Sequence, residues 1–494
     1  MIETIKQNRK KFLILLLIAG LVSIPLMTNY VIMGNNTASS LIRIESIYSN
    51  LGKIFPIRLN VAGGSPYGYS MAAFQADLFY LIPALFRLIG IGCGNAFKLT
   101  ILLFNILTAF TAFFSFRKCL GSDNLGLVAG MLYTWCPYRI TSLYTSGDLS
   151  EVFAWTFIPI VILGLWELYG NHDSKHGTDT SGRNRSRTTL TWGFSLISLS
   201  STVFLFIMTA MSALLFIIMW KKSFRKSALK EIAKTVAGVV CINAWFLIPM
   251  LFRLRDPQTV ESMLTADIRG LGMFLTQYLT IFHFAGKNTL IWTGGGAQSL
   301  AYGPGATVTI LIFVFLYLLF TGTSHQKNTV PDTKTKPSIR FSTALLCAGA
   351  IFIILSTNSF PWDIFQGKSM FFSIMLALME NPARWGIAAD VCMIIIACMG
   401  LSRLGALHGE KVLTWALLAT AAVSFGATQF LLGRIMSDCD IAWNETVETL
   451  ANTKMPVIYN ESLFWRLCEI VSLFSFLLCI AMWFVRRKKD VKKV

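Results

Sequence analysis

Apolar stretches long enough to cross a lipid bilayer recur from one end of the chain to the other. A helix needs about 20 apolar residues to cross a hydrocarbon core of about 30 Å, and the stretches have this length. They alternate with short segments rich in lysine and arginine. Because basic residues are in excess at the cytoplasmic ends of spans, these segments indicate the direction of each span. The pattern predicts an all-α, polytopic integral membrane protein.

Placing the strong basic segments on one side of the membrane gives about 12 transmembrane helices, with both termini in the cytoplasm. The predicted spans are 12–33, 95–116, 124–140, 151–169, 190–203, 204–220, 235–254, 303–321, 341–357, 386–402, 412–432 and 463–485. The division between the fifth and sixth spans depends on the polar break at 197–204. One long helix through this break is the alternative, and it would change the parity of the topology.

The topology requires that the apolar segment 71–90 does not cross the membrane. This segment contains Gln75, Asp77, Pro83 and Arg87, and a crossing would move the basic stretches at 175–187 and 221–234 outside. We therefore predict a long extracytoplasmic loop, 34–95, with two interfacial helices at 39–51 and 71–90. The other large outer loops are predicted at 255–302, 358–385 and 433–462.

Composition excludes several other classes of protein. Of the 494 residues, 54% are hydrophobic and only 14% are charged, which is outside the range of soluble domains. The net charge of +18 lies in the segments between spans, so we expect a membrane lipid partner and no nucleic acid. The ten cysteines have no C-x-x-C spacing and the five histidines are not paired at helical spacing, so no metal site or disulfide framework is predicted. No nucleotide motif is present, and no cofactor is expected.

Polar residues at the outer ends of spans are the candidates for chemistry, because a charge there is solvated, paired or functional. Arginines suit a lipid phosphate through the guanidinium fork, and a partly desolvated carboxylate such as Glu151 suits a general base. Plainer roles stay open: Asp148 as a helix N-cap, and the arginines as contacts to lipid head groups. The candidates are Arg43, Arg58, Tyr67, Tyr69, Asp77, Arg139, Asp148, Glu151, Asp363 and Arg384.

Five segments, in order, resemble the bacterial YfhO-type membrane proteins, relatives of the GT-C glycosyltransferases that use polyprenyl-phosphate sugars. The resemblance covers nearly the whole chain. The segments are "SSLIRIESIYSNLGKIFPIRLN" continued by "GSPYGYSMAAFQADLFYLIPALFRLIG", then "LYTWCPYRITSLYTSGDLSEVFAW", "NAWFLIPML", "STNSFPWDIF" and "NPARW".

The resemblance implies a GT-C-like membrane module over residues 1–254 and a C-terminal membrane part over 255–494. It also implies a site on the extracytoplasmic face of the bacterial plasma membrane. A polyprenyl-phosphate-linked sugar would bind there, and the sugar would pass to a cell-envelope glycan acceptor such as a teichoic acid.

The sequence departs from the family pattern at the start of the first outer loop. Asn36 stands where the family has an acid, and Ser40 stands where it has a histidine. An amide does not accept a proton at neutral pH. Three hypotheses follow: an inverting glycosyltransferase whose base is Glu151, Asp148 or Asp77; a lipid-linked-sugar binding or assembly partner that has lost catalysis; and a lipid or sugar transporter or flippase. In the first, arginines neutralise the phosphate, while Tyr67 and Tyr69 stack on the sugar.

Overall fold

A computed structural model describes residues 9–51, 74–169, 180–264, 268–275, 278, 303–321, 339–379, 381–451 and 463–491. Within these ranges the chain is mostly α-helical, and its sheet structure is one two-stranded ribbon. The predicted all-α class is therefore confirmed. The strands are β1, Tyr30–Ile32, and β2, Ile441–Trp443, which pair antiparallel.

The first half of the chain contributes twelve of the described helices. They are α1 Arg9–Val22, α2 Thr37–Asn50, α3 Leu81–Leu88, α4 Cys93–Leu120, α5 Asp123–Thr134, α6 Pro137–Thr141, α7 Leu149–Tyr169, α8 Thr180–Ser198, α9 Thr202–Ile218, α10 Trp220–Ser223, α11 Lys226–Ile242 and α12 Ala244–Arg253. A π-helical turn, Ser142–Ser146, joins α6 to the segment before α7, and 3-10 turns lie at Ile24–Met27 and Asp77–Tyr80.

The second half contributes the remaining described helices. They are α13 Pro257–Ser262, α14 Ala306–Thr321, α15 Ile339–Ser356, α16 Met370–Met379, α17 Gly386–His408, α18 Glu410–Asp438, α19 Asn444–Ala451 and α20 Leu463–Val491. Further 3-10 turns lie at Arg269–Leu271, Trp362–Phe365 and Pro382–Trp385.

Within the described residues, five helical segments are long and apolar enough to cross a membrane, which makes this a membrane-embedded protein. They are Cys93–Leu120, Leu149–Tyr169, Pro382–His408, Glu410–Ser437 and Leu463–Met482. A sixth is formed if the helices on either side of Asn243, which meet at 88°, are counted as one broken span. Four shorter apolar helices of 10–17 residues are also present. The total of about 12 spans stays a prediction.

Several predicted spans end earlier or break in the structure. The predicted span 12–33 is helical only to Val22, because Pro25 opens a 3-10 turn that leads into β1. The predicted span 124–140 is divided before Pro137, whose ring is incompatible with continuation of the preceding helix. The segment 190–220 forms two helices, α8 and α9, that separate at the predicted polar break.

Residues 74–90 contain a short helical unit, within the segment 71–90 where the sequence predicts an interfacial helix. The four-residue 3-10 turn Asp77–Tyr80 and the eight residues of α3 follow each other directly. Together they extend about 20 Å, less than the hydrocarbon thickness of about 30 Å, so this unit is too short to cross. The helix predicted at 39–51 is present as α2. That both helices lie on the outer face stays a prediction.

The core places α7 and the 382–408 segment at the centre of the bundle. In the most apolar 18-residue stretch of each, 89% and 83% of the residues are buried, against 28% for Glu410–Ser437 and 11% for Leu463–Met482. The last two helices therefore lie at the periphery with an exposed apolar surface, as expected for contact with lipid. One hydrophobic cluster extends from Leu15 to Val447 and connects both halves of the chain.

Two glycines allow the first outer loop to approach the segment before α7. Gly147 has φ +68°, and a Cβ there would overlap Thr37 Oγ1 at the start of α2. A Cβ on Gly34 would lie 2.5 Å from the backbone oxygen of Thr145. Side chains at these two positions would separate the two segments.

We predict that Gly147→Ala destabilises the protein by about 1–3 kcal/mol, because it combines left-handed strain with a steric overlap at Thr37. The matched control is Gly433→Ala in α18, where a Cβ meets nothing within 4 Å and a helix former replaces glycine. Thermal unfolding of the detergent-solubilised protein measures both. Equal melting temperatures for the two variants would contradict the close approach.

Candidate functional site

Asn35 and Asn36, just before α2, are hydrogen-bonded to the segment that precedes α7. Asn35 N–H donates to Thr145 O at 3.0 Å, and Asn36 N–H donates to Ser146 O at 2.7 Å. The Asn36 side chain also reaches across, with Nδ2 3.4 Å from the Ser146 hydroxyl oxygen. Two candidate regions that are 110 residues apart in sequence therefore meet.

Helix α2 places Ser40 and Arg43 on the side facing the same segment. Ser40 is buried; its hydroxyl donates to Gly147 O at 3.0 Å and accepts from Leu149 N–H at 3.3 Å. Its oxygen also lies 3.4 Å from the Tyr80 hydroxyl. Burial raises the pKa of Tyr80, so its hydroxyl stays protonated and available as a donor.

Arg43 is the centre of the first charged group in the site. Its Nη1 lies 3.5 Å from Asp77 Oδ1 and donates to Gln75 Oε1. The Ser150 hydroxyl donates to the same Gln75 oxygen at 3.1 Å, which connects Arg43 to the start of α7. The guanidinium carbon is 5.8 Å from the centroid of the Tyr80 ring. The Arg43 side chain is 19% exposed and that of Asp77 is 6% exposed, so this ion pair is largely desolvated.

Glu151 and Arg384 form the second charged group. Arg384 Nη2 donates to Glu151 Oε1 at 3.1 Å, and the Ser142 hydroxyl donates to Glu151 Oε2. Glu151 lies in the first turn of α7, and Arg384 lies in the 3-10 turn immediately before α17. The ends of the two central helices therefore carry this pair. Their side chains are 8% and 14% exposed, which leaves the arginine within reach of solvent.

Asp148 acts as a helix cap in the structure. Its Oδ1 accepts a hydrogen bond from Ser150 N–H at 2.8 Å, in the first turn of α7. This is the plainer of the two roles that the sequence left open, and it satisfies one of the backbone donors at the helix N-terminus. Asp148 lies three residues before Glu151, the acid of the second charged group.

The remaining candidates are distributed differently. Arg139 is fully buried in the helical bundle, where it donates to Thr134 O, Asn105 Oδ1 and Thr108 Oγ1. Asp363 is exposed on a 3-10 turn. Arg58, Tyr67 and Tyr69 lie outside the described residues.

Sequence reasoning did not include four side chains that take part in these groups: Gln75, Tyr80, Ser142 and Ser150. Gln75 was visible only as a polar residue in an apolar segment. The other three have no distinguishing spacing, because each acquires its role through a partner supplied by the fold.

The described part of the chain contains no group of three or more His, Cys, Asp or Glu residues placed to hold a metal ion. The site consists instead of two carboxylate–arginine pairs. A guanidinium carries five N–H donors and a carboxylate accepts hydrogen bonds on both oxygens. Such a set can bind a phosphate and accept a proton.

The fold is similar to that of solved membrane glycosyltransferases. No protein-family model matches the chain, and no curated protein matches its sequence. ArnT from Cupriavidus metallidurans, solved bound to undecaprenyl phosphate, aligns with a TM-score of 0.50 and 9% identity over 89% of this chain and 77% of its own. The chain has a GT-C-like fold. At this identity the similarity shows the fold alone.

Two other solved structures are similar at lower scores. The arabinofuranosyltransferase AftD from Mycobacteria aligns with a TM-score of 0.46 and 13% identity over 86% of this chain. The oligosaccharyltransferase AglB from Archaeoglobus fulgidus, in complex with an inhibitory peptide and a dolichol-phosphate, has a TM-score of 0.48 and 13% identity over 92% of this chain and 57% of its own. The chain spans only 27% of the length of AftD.

We predict that Glu151 and Arg384 are energetically coupled. Glu151→Gln and Arg384→Gln each leave a desolvated charge without its partner, which costs about 3 kcal/mol, so the double variant should lose less than the sum of the two. Thermal unfolding of the three variants measures the coupling. Asp123→Asn is the comparison, because Asp123 is 31% exposed in its ion pairs with Lys11 and Arg117 and should contribute much less. Additive losses would show that the two side chains act independently.

Proposed function

We propose that this protein is a YfhO-type membrane glycosyltransferase. It takes a polyprenyl-phosphate-linked sugar on the extracytoplasmic face of the bacterial plasma membrane and modifies a cell-envelope glycopolymer such as a teichoic acid. The observation that carries the proposal is the pair of carboxylate–arginine groups, Glu151–Arg384 and Arg43–Asp77, on a GT-C-like fold. ArnT, which shares this fold, was solved with a polyprenyl phosphate bound.

The proposed reaction is an inverting transfer. The acceptor hydroxyl oxygen attacks the anomeric carbon while the bond from that carbon to the phosphate oxygen breaks. The hydroxyl proton passes to the Glu151 carboxylate, and polyprenyl phosphate leaves with the bonding electron pair. Glu151 suits this role because Arg384 and Ser142 orient both of its oxygens. Asp77 is the second candidate base, whereas Asp148 is engaged as a cap.

The arginines supply the electrostatic part of the mechanism. A phosphate that leaves in a desolvated site needs a cation beside it, because its developing charge is poorly screened. The side chains of Arg43 and Arg384 are 19% and 14% exposed, so both cations border the solvent-accessible side of the site. A bound phosphate would thus meet arginines that the carboxylates already hold in place.

We predict that Glu151→Gln lowers glycosyl transfer by about 10²–10⁴-fold, because the amide cannot take the acceptor proton. The assay follows transfer of labelled sugar from a polyprenyl-phosphate donor in membranes that contain the full-length protein. Protein level and melting temperature serve as folding controls, and Asp148→Asn tests the neighbouring carboxylate. Unchanged transfer in a folded Glu151→Gln protein would exclude Glu151 as the base.

A binding or assembly role without turnover is the second candidate, and Asn36 is the observation that favours it. The family acid is an amide here, and its side chain is directed toward Ser146 in the loop before α7. The position is therefore retained beside the site while its proton-accepting chemistry is absent.

We predict that Asn36→Asp distinguishes the two functions. An aspartate has nearly the same shape and can accept a hydrogen bond from the Ser146 hydroxyl, so the variant should fold. If the protein has lost catalysis, the new carboxylate should produce transfer where the wild type gives none. Asn35→Asp, whose side chain is exposed on the adjacent residue, is the matched control. Strong wild-type transfer that Asn36→Asp leaves unchanged would reject the binding-only role.

A further inference from the structure

Residues 441–451, close to the C-terminal end of the chain, pack against the first outer loop. Strand β2 pairs with β1, with Tyr30 opposite Trp443, and helix α19 follows directly and packs on α2 and α4. We call residues 441–451 the clamp. Helix α2, on which α19 packs, carries Ser40 and Arg43.

Glu448 is the central side chain of the clamp. Its Oε1 accepts a hydrogen bond from the backbone N–H of Cys93, the first residue of α4. Its Oε2 lies 3.3 Å from Arg87 Nη2. One carboxylate therefore satisfies a free donor at a long helix's N-terminus, where a negative charge is favoured, and pairs with a cation from α3.

Arg87 connects Glu448 to helix α2. Its Nε donates to Glu45 Oε2 at 3.0 Å and its Nη2 donates to Glu45 Oε1 at 3.4 Å, a two-point contact that fixes the orientation of both groups. Glu45 is buried and lies two residues after Arg43 on α2. The guanidinium also lies 5.2 Å from the centroid of the Tyr48 ring, one turn further along the helix.

Two glycines give the clamp the space it needs. A Cβ on Gly92 would lie 2.6 Å from Glu448 Oε1, and a Cβ on Gly94 would lie 2.9 Å from Asn444 Oδ1. Neither glycine has a positive φ, so their backbone conformation is open to other residues. Close approach of the clamp is the physical constraint at both positions.

We infer that the clamp positions the site. Glu448, acting through Arg87 and Glu45, holds α2 in the orientation that places Arg43 against Asp77 and Gln75. These three are positioning residues, because they act on Arg43 through α2. The inference rests on the proposed function only for the identity of what Arg43 binds; the mechanical link stands on contacts alone.

Glu448→Ala tests the mechanical link in the full-length protein in nanodiscs. Amide hydrogen exchange over 37–50 should become about five- to tenfold faster, because a helix-terminal charge interaction and a partly exposed ion pair are lost together. Exchange over 180–198, distant in sequence, should not change. Thr446→Ala, at an exposed position on the same helix, is the control and should leave exchange over 37–50 unchanged. Unchanged exchange over 37–50 in Glu448→Ala would overturn the inference.

A disulfide between β1 and β2 tests whether fixing the clamp reverses the effect of Glu448→Ala. Met33 N–H donates to Asp440 O, so Tyr30 and Trp443 form a non-hydrogen-bonded pair, whose Cβ atoms are close enough for a disulfide. Tyr30→Cys with Trp443→Cys, added to Glu448→Ala, should restore slow exchange over 37–50 when oxidised and lose it when reduced. The corresponding single-cysteine variants control for pairing with native cysteines. Failure of the formed disulfide to slow exchange would contradict positioning by the clamp.

Binding of undecaprenyl phosphate by the same samples separates this inference from the proposed function. If both are correct, Glu448→Ala weakens binding about five- to tenfold and the disulfide restores it. If the wild type does not bind the lipid while exchange responds as expected, the proposed function fails and the clamp stands. If the wild type binds and Glu448→Ala binds equally with faster exchange, the clamp does not act on Arg43 and the inference is wrong.

Discussion

The desolvated charges of the candidate site are paired with opposite charges, and the arrangement of the site follows from that constraint. Desolvating a carboxylate or guanidinium costs several kcal/mol unless an opposite charge and hydrogen bonds compensate it. Charged residues in the segment 34–95 and at the start of α7 offset this cost through ion pairs with residues distant along the chain. Arg43 pairs with Asp77, Arg87 with Glu45 and Glu448, and Glu151 with Arg384. Each pair therefore also fixes the position of one segment relative to another.

The two most buried helical segments of the bundle place the central pair. Glu151 lies in the first turn of α7, and Arg384 lies just before α17, so the pair is at the ends of helices that are themselves held by the core. Catalytic and binding groups keep their geometry best when rigid elements carry them. The peripheral helices, which expose apolar side chains, provide the lipid-facing surface and contribute none of the charged side chains described for the site.

Asn36 occupies the position where the sequence resemblance implies an acid. Its backbone N–H donates to Ser146 O, and Gly34 and Gly147 permit that approach. Backbone contacts therefore fix the position of Asn36. The side chain at this position is nevertheless an amide. In the proposed function, Glu151 supplies the base that the amide of Asn36 cannot.

Local patterns in the sequence predicted several of the elements. Apolar length predicted membrane helices, the polar break at 197–204 predicted the separation of α8 and α9, and helical spacing predicted α2 within two residues. Pro25 and Pro137 ended helices earlier than apolar length alone indicated, because a missing N–H and a ring clash override hydropathy locally. These effects act between neighbours along the chain, and a sequence records them directly.

Tertiary structure alone decided the partners. The sequence identified Arg43, Asp77, Glu151 and Arg384 as candidates by their places at span ends. It did not predict that they form two pairs, one of which joins residues 233 positions apart. It also gave Arg139 the same standing as Arg384, although packing buries Arg139 among neutral acceptors in the bundle. An ion pair depends on the distance between two side chains in space, and helix packing sets that distance. The sequence pattern therefore identifies the candidate charged residues, whereas only the tertiary structure determines which of them pair.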